Sequence, residues 1–278
     1  MSRVKYINID TRYNIDKYHF PLAEYYLELP EHIHNVISFS IVSIEVPITF
    51  YNICSAFNNN SFDVLVTTNR NIDKKTVIKI PDNFYTTETL RKTVVDALKD
   101  NSLNDLILDI SNNKTKISSK HNDYIVKFAK DNNSLGNLLG FQKNPIYINK
   151  RDTLNEYNNE NQSVCNLFNP RYLFLEIIEY SRNKHNKNEY LFTSSLLGCH
   201  ISKHIIAKIT LDYKNFPYGY LFPASLVNGF LLSNVRVYKK HINLEALQIR
   251  LVNELGIPMC LNGHEISFCC QVECQSDC

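Results

Sequence analysis

Alternation of apolar and polar residues with a period of two dominates both ends of the chain. Tyr25, Leu27 and Leu29 alternate with Tyr26 and Glu28 and stop at Pro30, the pattern of a strand with one buried face. In the next run Ile37, Phe39 and Ile41 share a face, and the phase then slips to Val42, Ile44 and Val46 before Pro47. One extra residue moves every later side chain to the opposite face, so the slip predicts a β-bulge or bend near Ile41 and Val42. The alternation resumes late in the chain. Tyr172 to Ile178 is apolar on both faces, which predicts burial between two layers. Ile205, Ala207, Ile209 and Leu211 alternate with Lys208 and Thr210, and Leu247, Ile249 and Leu251 alternate with Gln248 and Arg250. Ile266, Phe268, Cys270 and Val272 alternate with Glu265, Ser267, Cys269 and Gln271. Gly256-Ile257-Pro258 and Asn262-Gly263 mark a turn region between these last two strands.

The middle of the chain has a different period. Phe62, Val64 and Val66 predict one strand, and Thr76, Ile78 and Ile80 another. Thr86 or Thr87 is placed to cap a helix with Glu88 in its first turn. Leu90, Val94 and Leu98 then recur every four residues, one helical stripe. Further strands are expected at 106–110, 116–118 and 124–128, and the segment closes near Leu139-Gly140-Phe141. Residues 142–170 are polar and Asn-rich and read as a connection, with one short strand at Ile146 to Ile148. The fold class expected is therefore mainly β: a jelly-roll-like antiparallel β-sandwich with an inserted small α+β unit. The sandwich would comprise residues 1–54 and 142–278, and the insert residues 55–141. Such insertions are tolerated because loop-closure entropy grows slowly with length.

Composition adds a few constraints. With 44% hydrophobic residues, 17 Tyr and 15 Phe, a substantial core can be filled. A net charge of +2 does not advertise nucleic acid as a partner. Only 7 Gly occur, and runs such as Asn58-Asn59-Asn60 and Asn132-Asn133 can take the left-handed turn positions instead. No apolar run approaches the ~18 residues of a membrane span, and no signal peptide is expected. Synthesis in the cytosol would leave the 8 Cys reduced at first.

Candidate chemistry is sparse. His32-Ile33-His34 puts two imidazoles on one side of a strand, but the next carboxylate, Glu45, lies beyond the proposed bulge. Cys269, Cys270, Cys274 and Cys278, with His264, lack the CxxC spacing of a zinc site. Cys270 reads as core; Cys269, Cys274 and Cys278 read as free thiols or as partners in intersubunit disulfides, the last two on a tail. The run Ser181 to Lys187 reads as a solvated loop tip. With no nucleophile motif, phosphate loop or dinucleotide turn, the expectation is a non-enzymatic protein with no metal and no cofactor.

One ordered series of segments spans most of the chain. It runs through Ile7-Asn8-Ile9-Asp10-Thr11-Arg12, Tyr26-Leu27-Glu28-Leu29-Pro30, Ser43-Ile44-Glu45-Val46-Pro47 and Asn83-Phe84-Tyr85-Thr86. It continues through Leu139-Gly140-Phe141, Tyr172-Leu173-Phe174-Leu175-Glu176-Ile177, Leu247-Gln248-Ile249-Arg250-Leu251 and Asn262-Gly263-His264-Glu265-Ile266-Ser267-Phe268. The series resembles minor capsid or penton-type proteins of the nucleocytoplasmic large DNA viruses and their relatives. Asp82, where the pattern has Gly, and the Cys-rich tail depart from it. The resemblance implies a jelly-roll subunit of an icosahedral shell, located in the virion and assembled in the host cytoplasm. Its implied partners are copies of itself, the major capsid protein, or both. The loop at 212–230 is the leading candidate for such contacts, because Tyr213, Phe216, Tyr218, Tyr220 and Phe222 are of the types enriched at interface centres. Folding of these aromatics back onto the sandwich is the competing expectation. A glycan-binding jelly roll on a virion surface is the alternative function, and Tyr13, Tyr18 and Tyr218 are its loop aromatics.

Overall fold

The computed structural model describes residues 2–13, 22–68, 71–130, 133–142, 144–150, 163–180 and 202–275. Two compact units are present: Met1–Phe50 with Pro170–Cys278, and Tyr51–Asn169.

The first unit holds β1 (Ser2–Asp10) and β2 (Glu24–Pro47) from the start of the chain. The second unit contains β3 (Ser61–Thr68), β4 (Asn71–Lys79), α1 (Thr87–Asp100), β5 (Leu106–Ser111) and β6 (Lys114–Ser119). It also contains β7 (Asp123–Phe128), α2 (Leu135–Leu138) and β8 (Ile146–Ile148). The chain then returns to the first unit with β9 (Tyr172–Tyr180), β10 (Ile205–Thr210), β11 (Leu221–Ser225), β12 (Leu231–Ser233), β13 (Arg236–Asn253) and β14 (Ser267–Gln275).

In the first unit an eight-stranded antiparallel sheet runs β1-β14-β2-β13-β9-β10-β12, with β11 also on β2. Strands from the two chain ends interleave, as the alternation implied. β2 is long enough to serve two layers. Its first part, from Glu24 to Phe39, pairs with β13. Its last part pairs with β14 on one edge and β11 on the other. The sheet curls back on itself, so that Ser233 of β12 accepts at Oγ from the Ile41 N–H of β2, 3.0 Å away. The curl encloses Phe39, Ile41, Ile44, Leu175, Ile249, Phe268 and Val272, all fully buried.

The phase slip in β2 is a bulge. Cys269 lies opposite Ser43 and Cys270 opposite Ile41, leaving Val42 as the extra residue. A second shift, between the Ser38–Glu273 and Val36–Cys274 pairs, leaves Ile37 unpaired with β14. That shift turns Val36 inward and leaves Ile37 half-buried, against the expected face. Residues 173–177 are all buried, as the both-faced apolar run predicted. Phe174 leaves the main core to pack with Ile205 and Val252.

Distant parts of the chain are tied by side chains. Thr11 Oγ1 donates to Glu265 Oε2 at 2.6 Å and accepts from the Ile266 N–H at 3.0 Å, so the Asp10-Thr11-Arg12 turn is anchored beside β14. Asn262, at φ 52°, starts the turn before β14 and donates from Nδ2 to the Thr49 carbonyl at 2.5 Å.

In the second unit the sheet order is β4-β3-β7-β8, with β5 and β6 forming a separate hairpin. Helix α1 lies where the four-residue spacing put it. Thr86 accepts at its side chain from the Thr89 N–H, while Thr89 Oγ1 accepts from the Thr86 N–H, a capping box. Leu90, Val94 and Leu98 are fully buried among Val64, Ile78 and Val126 of the sheet. Asn112 and Asn113, both left-handed at φ 50° and 58°, turn β5 into β6, and Asn58 takes φ 53°. Asn thus does at these turns what Gly does elsewhere.

The insert is longer than the expected 55–141. β8 adds to the edge of β7, and Cys165 and Leu167 enter the same core. The Cys165 N–H also donates to the Asn113 carbonyl at 2.9 Å. Residues up to Asn169 therefore belong with this unit and not with the sandwich. Among the described residues no helix is long and apolar enough to cross a membrane.

Candidate subunit-contact surface

The loop at 212–230 was expected to carry contacts, and the structure divides its aromatic side chains into two sets. Asp212 fixes the loop start: its Oδ1 accepts from the Lys214 and Asn215 N–H groups and its Oδ2 from Asn215 Nδ2, at 3.1, 3.2 and 2.6 Å. These bonds, the Asn215 side chain foremost, hold the Asp212 carboxyl below its ordinary value. Tyr213 turns inward, its hydroxyl donating to the Pro170 carbonyl at 2.7 Å. Burial, with the charge of Glu254 behind it, pushes that phenol well up. Phe216 packs edge-on against Phe222 with centroids 5.0 Å apart, and Phe222 meets Phe230 in the same way at 5.2 Å. Phe222 is 0% exposed and belongs to the unit's own core.

Tyr218 and Tyr220 form the other set. Gly219, at φ 90°, lets the chain reverse between them. The Gly219 N–H donates to the Ile48 carbonyl and the Ile48 N–H to the Tyr220 carbonyl, both at 2.8 Å, which staples the loop to the end of β2. β11 then alternates Leu221 and Pro223 outward with Phe222 and Ala224 inward. The turn after β11 is built on Asn228, whose Oδ1 accepts from the Ser225 and Phe230 N–H groups at 2.9 and 3.1 Å. Its Nδ2 donates to the Pro223 carbonyl at 2.8 Å. Leu226 and Val227 are thereby held outward, Val227 at 98% exposure. Leu232 of β12 and Val237 of β13 are exposed as well.

No Asp, Glu, Lys, Arg or His occurs from Asn215 to Val235. The exposed apolar residues of β4 differ in setting: Ile72 and Val77 stand among Asp73, Lys74, Lys75 and Lys79. Of the five aromatics expected at the contact, then, Tyr218 and Tyr220 face solvent, while Tyr213, Phe216 and Phe222 turn inward. The sequence reading had not singled out Leu221, Leu226, Val227, Leu232 and Val237. The long charge-free run was the signal available for finding all of them but Val237, which lies just past Arg236.

The remaining candidates are scattered. His32 and His34 are exposed on β2 with ring centroids 6.5 Å apart. Among the described residues no group of three or more His, Cys, Asp or Glu could hold a metal ion. Cys274 is not on a tail. It is a buried residue of β14, opposite Arg3 on one side and Val36 on the other. Cys269 is half-buried on the outer face, and both are free thiols. Cys278, Tyr18 and the 181–187 run lie outside the described residues. Tyr13 is exposed.

No protein-family model matches the chain, and no curated protein matches it. Among solved structures the chain is similar to a mavirus penton protein, with a TM-score of 0.49 and 11% identity over 98% of this chain and 99% of that one. It is likewise similar to a chain of the Sputnik virophage structure, with a TM-score of 0.47 and 12% identity over 98% of this chain and 97% of that one.

Proposed function

We propose that the chain is a structural subunit of a viral icosahedral capsid, of penton or minor type, acting through contacts between subunits. The observation that carries this reading is the exposed apolar surface of residues 218–237, where no charged residue occurs from Asn215 to Val235 and the one charged side chain that follows, Arg236, is buried. Tyr220, Leu221, Leu226, Val227, Leu232 and Val237 are each at least half exposed, Val227 almost completely, and exposed large apolar side chains grouped in one stretch of chain are what a subunit contact would cover. The hydrogen bonds of Asn228 and Gly219 fix this face before any partner arrives, which lowers the entropy lost on docking. Pro223 removes a donor from the free edge of β11, so the contact is made by side chains and not by strand addition. The motif series agrees with this reading: most of its segments fall on or beside β1, β2, β9, β13 and β14 of the first unit, and Asn83-Phe84-Tyr85-Thr86 and Leu139-Gly140-Phe141 fall in the second.

The partner is a further copy of this chain, with the major capsid protein as the second neighbour. Val227 and Tyr220 are the clean probes, since neither supports the core. The double variant Val227→Asp with Tyr220→Ser should melt like the wild type yet enter purified particles at least tenfold less. Normal incorporation would remove this face as the contact, and absence of the wild-type chain from particles would remove the capsid role itself.

A further inference from the structure

Where β9 ends and β10 begins, three strands are tied together by one buried set of charges. Arg236, at the start of β13, has a side chain only 4% exposed, as has Glu179 of β9, with which it forms an ion pair. Arg236 Nη1 also donates to the Ile177 carbonyl at 3.0 Å, and Nη2 donates to the His204 carbonyl at 3.1 Å. Tyr238 Oη donates to Glu179 Oε1 at 2.6 Å. The His204 carbonyl accepts a second bond, from the Ile177 N–H at 2.9 Å. The joint therefore rests on one guanidinium answering one carboxylate, with the backbone of His204 held against it.

The His204 side chain is the group this arrangement does not use. Its Nδ1 is buried and has no hydrogen-bond partner. The charged and titratable groups around it are Lys203 beside it, Glu176 and Glu179 on β9, and Arg236 on β13. Both carboxylates are engaged: Glu179 by Arg236 and Tyr238, and Glu176 by Arg250 Nη1 at 3.0 Å. A proton added at Nδ1 would create a buried N–H facing no acceptor, and a second cation next to Arg236.

We propose that His204 makes the β9–β10 joint acid-sensitive, its protonation loosening the Arg236 clamp while the rest of the unit stays folded. Burial first, then Lys203 and Arg236, hold the imidazole below its ordinary value of 6.5, against the opposing pull of Glu176 and Glu179. The folded chain thus binds this proton less readily than the unfolded chain. Local stability is complete above pH 6.5 and falls as the pH drops below it. A shell subunit built this way would loosen on entering an acidic compartment, but the device itself does not depend on the assembly reading.

Hydrogen exchange on the full chain at pH 7.5 and 5.0, corrected for intrinsic rates, tests the proposal. Protection of residues 172–180 and 205–210 should fall at pH 5.0 relative to residues 61–68, by up to roughly tenfold per pH unit below 6.5. In His204→Gln, which hydrogen-bonds but does not titrate, that loss should vanish. An equal loss in His204→Gln, or none in the wild type, would overturn the proposal. An NMR titration of the wild-type His204 ring gives a check that needs no variant. A midpoint below 6.5 supports the joint, and one at or above 6.5 refutes it.

Discussion

Cys270 shows how far burial can alter a single side chain. Its Sγ–H donates to the Ile7 carbonyl at 3.4 Å in the seam between β1 and β14. Burial, with neighbouring Cys269 adding, pushes the thiol from 9.0 up to about 12. Tyr124 behaves alike in the other unit: burial and the bond it donates to Asp105 raise its phenol from 10.0 to about 12. Above pH 9 the unfolded chain releases protons that the folded chain keeps. Stability is therefore full below pH 9 and declines as the pH rises toward 12. Urea unfolding at a series of pH values should show this decline. Cys270→Ala should flatten the slope by about 1.4 kcal/mol per pH unit between pH 9 and 11, one ionisation's worth. An unchanged slope would show that the thiol is not held protonated.

Among the elements, the shortest helix is the most constrained. α2 is capped by Ser134, whose Oγ accepts from the Asn137 N–H at 3.4 Å, and its second residue is Gly136. A Cβ at Gly136 would sit 2.7 Å from Cγ and Cδ2 of Phe128 and 2.9 Å from its Cβ. Phe128 cannot retreat easily, since its ring packs against Phe62 and stacks on Phe141 at 5.6 and 5.8 Å. Gly136→Ala should therefore cost about 1–3 kcal/mol by overpacking, read as a lower urea midpoint. A second variant, Phe128→Leu, should absorb part of that cost in a double-mutant cycle. A neutral Gly136→Ala would mean that β7 and α2 can shift apart.

Over the whole molecule, the inserted unit has what independent folding requires. Its core is its own, and Asn52 brings its two ends together by donating from Nδ2 to the Tyr85 and Leu167 carbonyls, both at 2.9 Å. Asn169 Nδ2 closes the far end on Asn133 Oδ1 at 2.7 Å. Adjacent ends are what tolerated domain insertions share. Residues 51–169 expressed alone should melt cooperatively, whereas residues 55–141 should not, because they lack β8, Cys165 and Leu167. Circular dichroism melting of both pieces decides the matter, and a gradual, unfolded-like trace from 51–169 would defeat the expectation.

What the sequence by itself determined is what short-range periodicity can carry. The slip at Val42, the stripe of Leu90, Val94 and Leu98, and the both-faced burial of β9 all follow from the order of neighbouring residues. The tertiary structure decided everything that depends on a partner far along the chain. Residues 163–169 have no period to read, and they join the insert because Asn52, Asn113, Asn133, Leu138 and Gly140, all distant in sequence, supply their hydrogen-bond partners while Cys165 and Leu167 enter its core. Cys274 resembles tail in the sequence, and becomes core because β1 and β2 flank it. Leu221 and Phe222 are adjacent large apolar residues of one loop in the sequence. One is surface and the other core because β11 is a strand only by pairing with β2, across more than a hundred residues, and that pairing fixes which face looks inward.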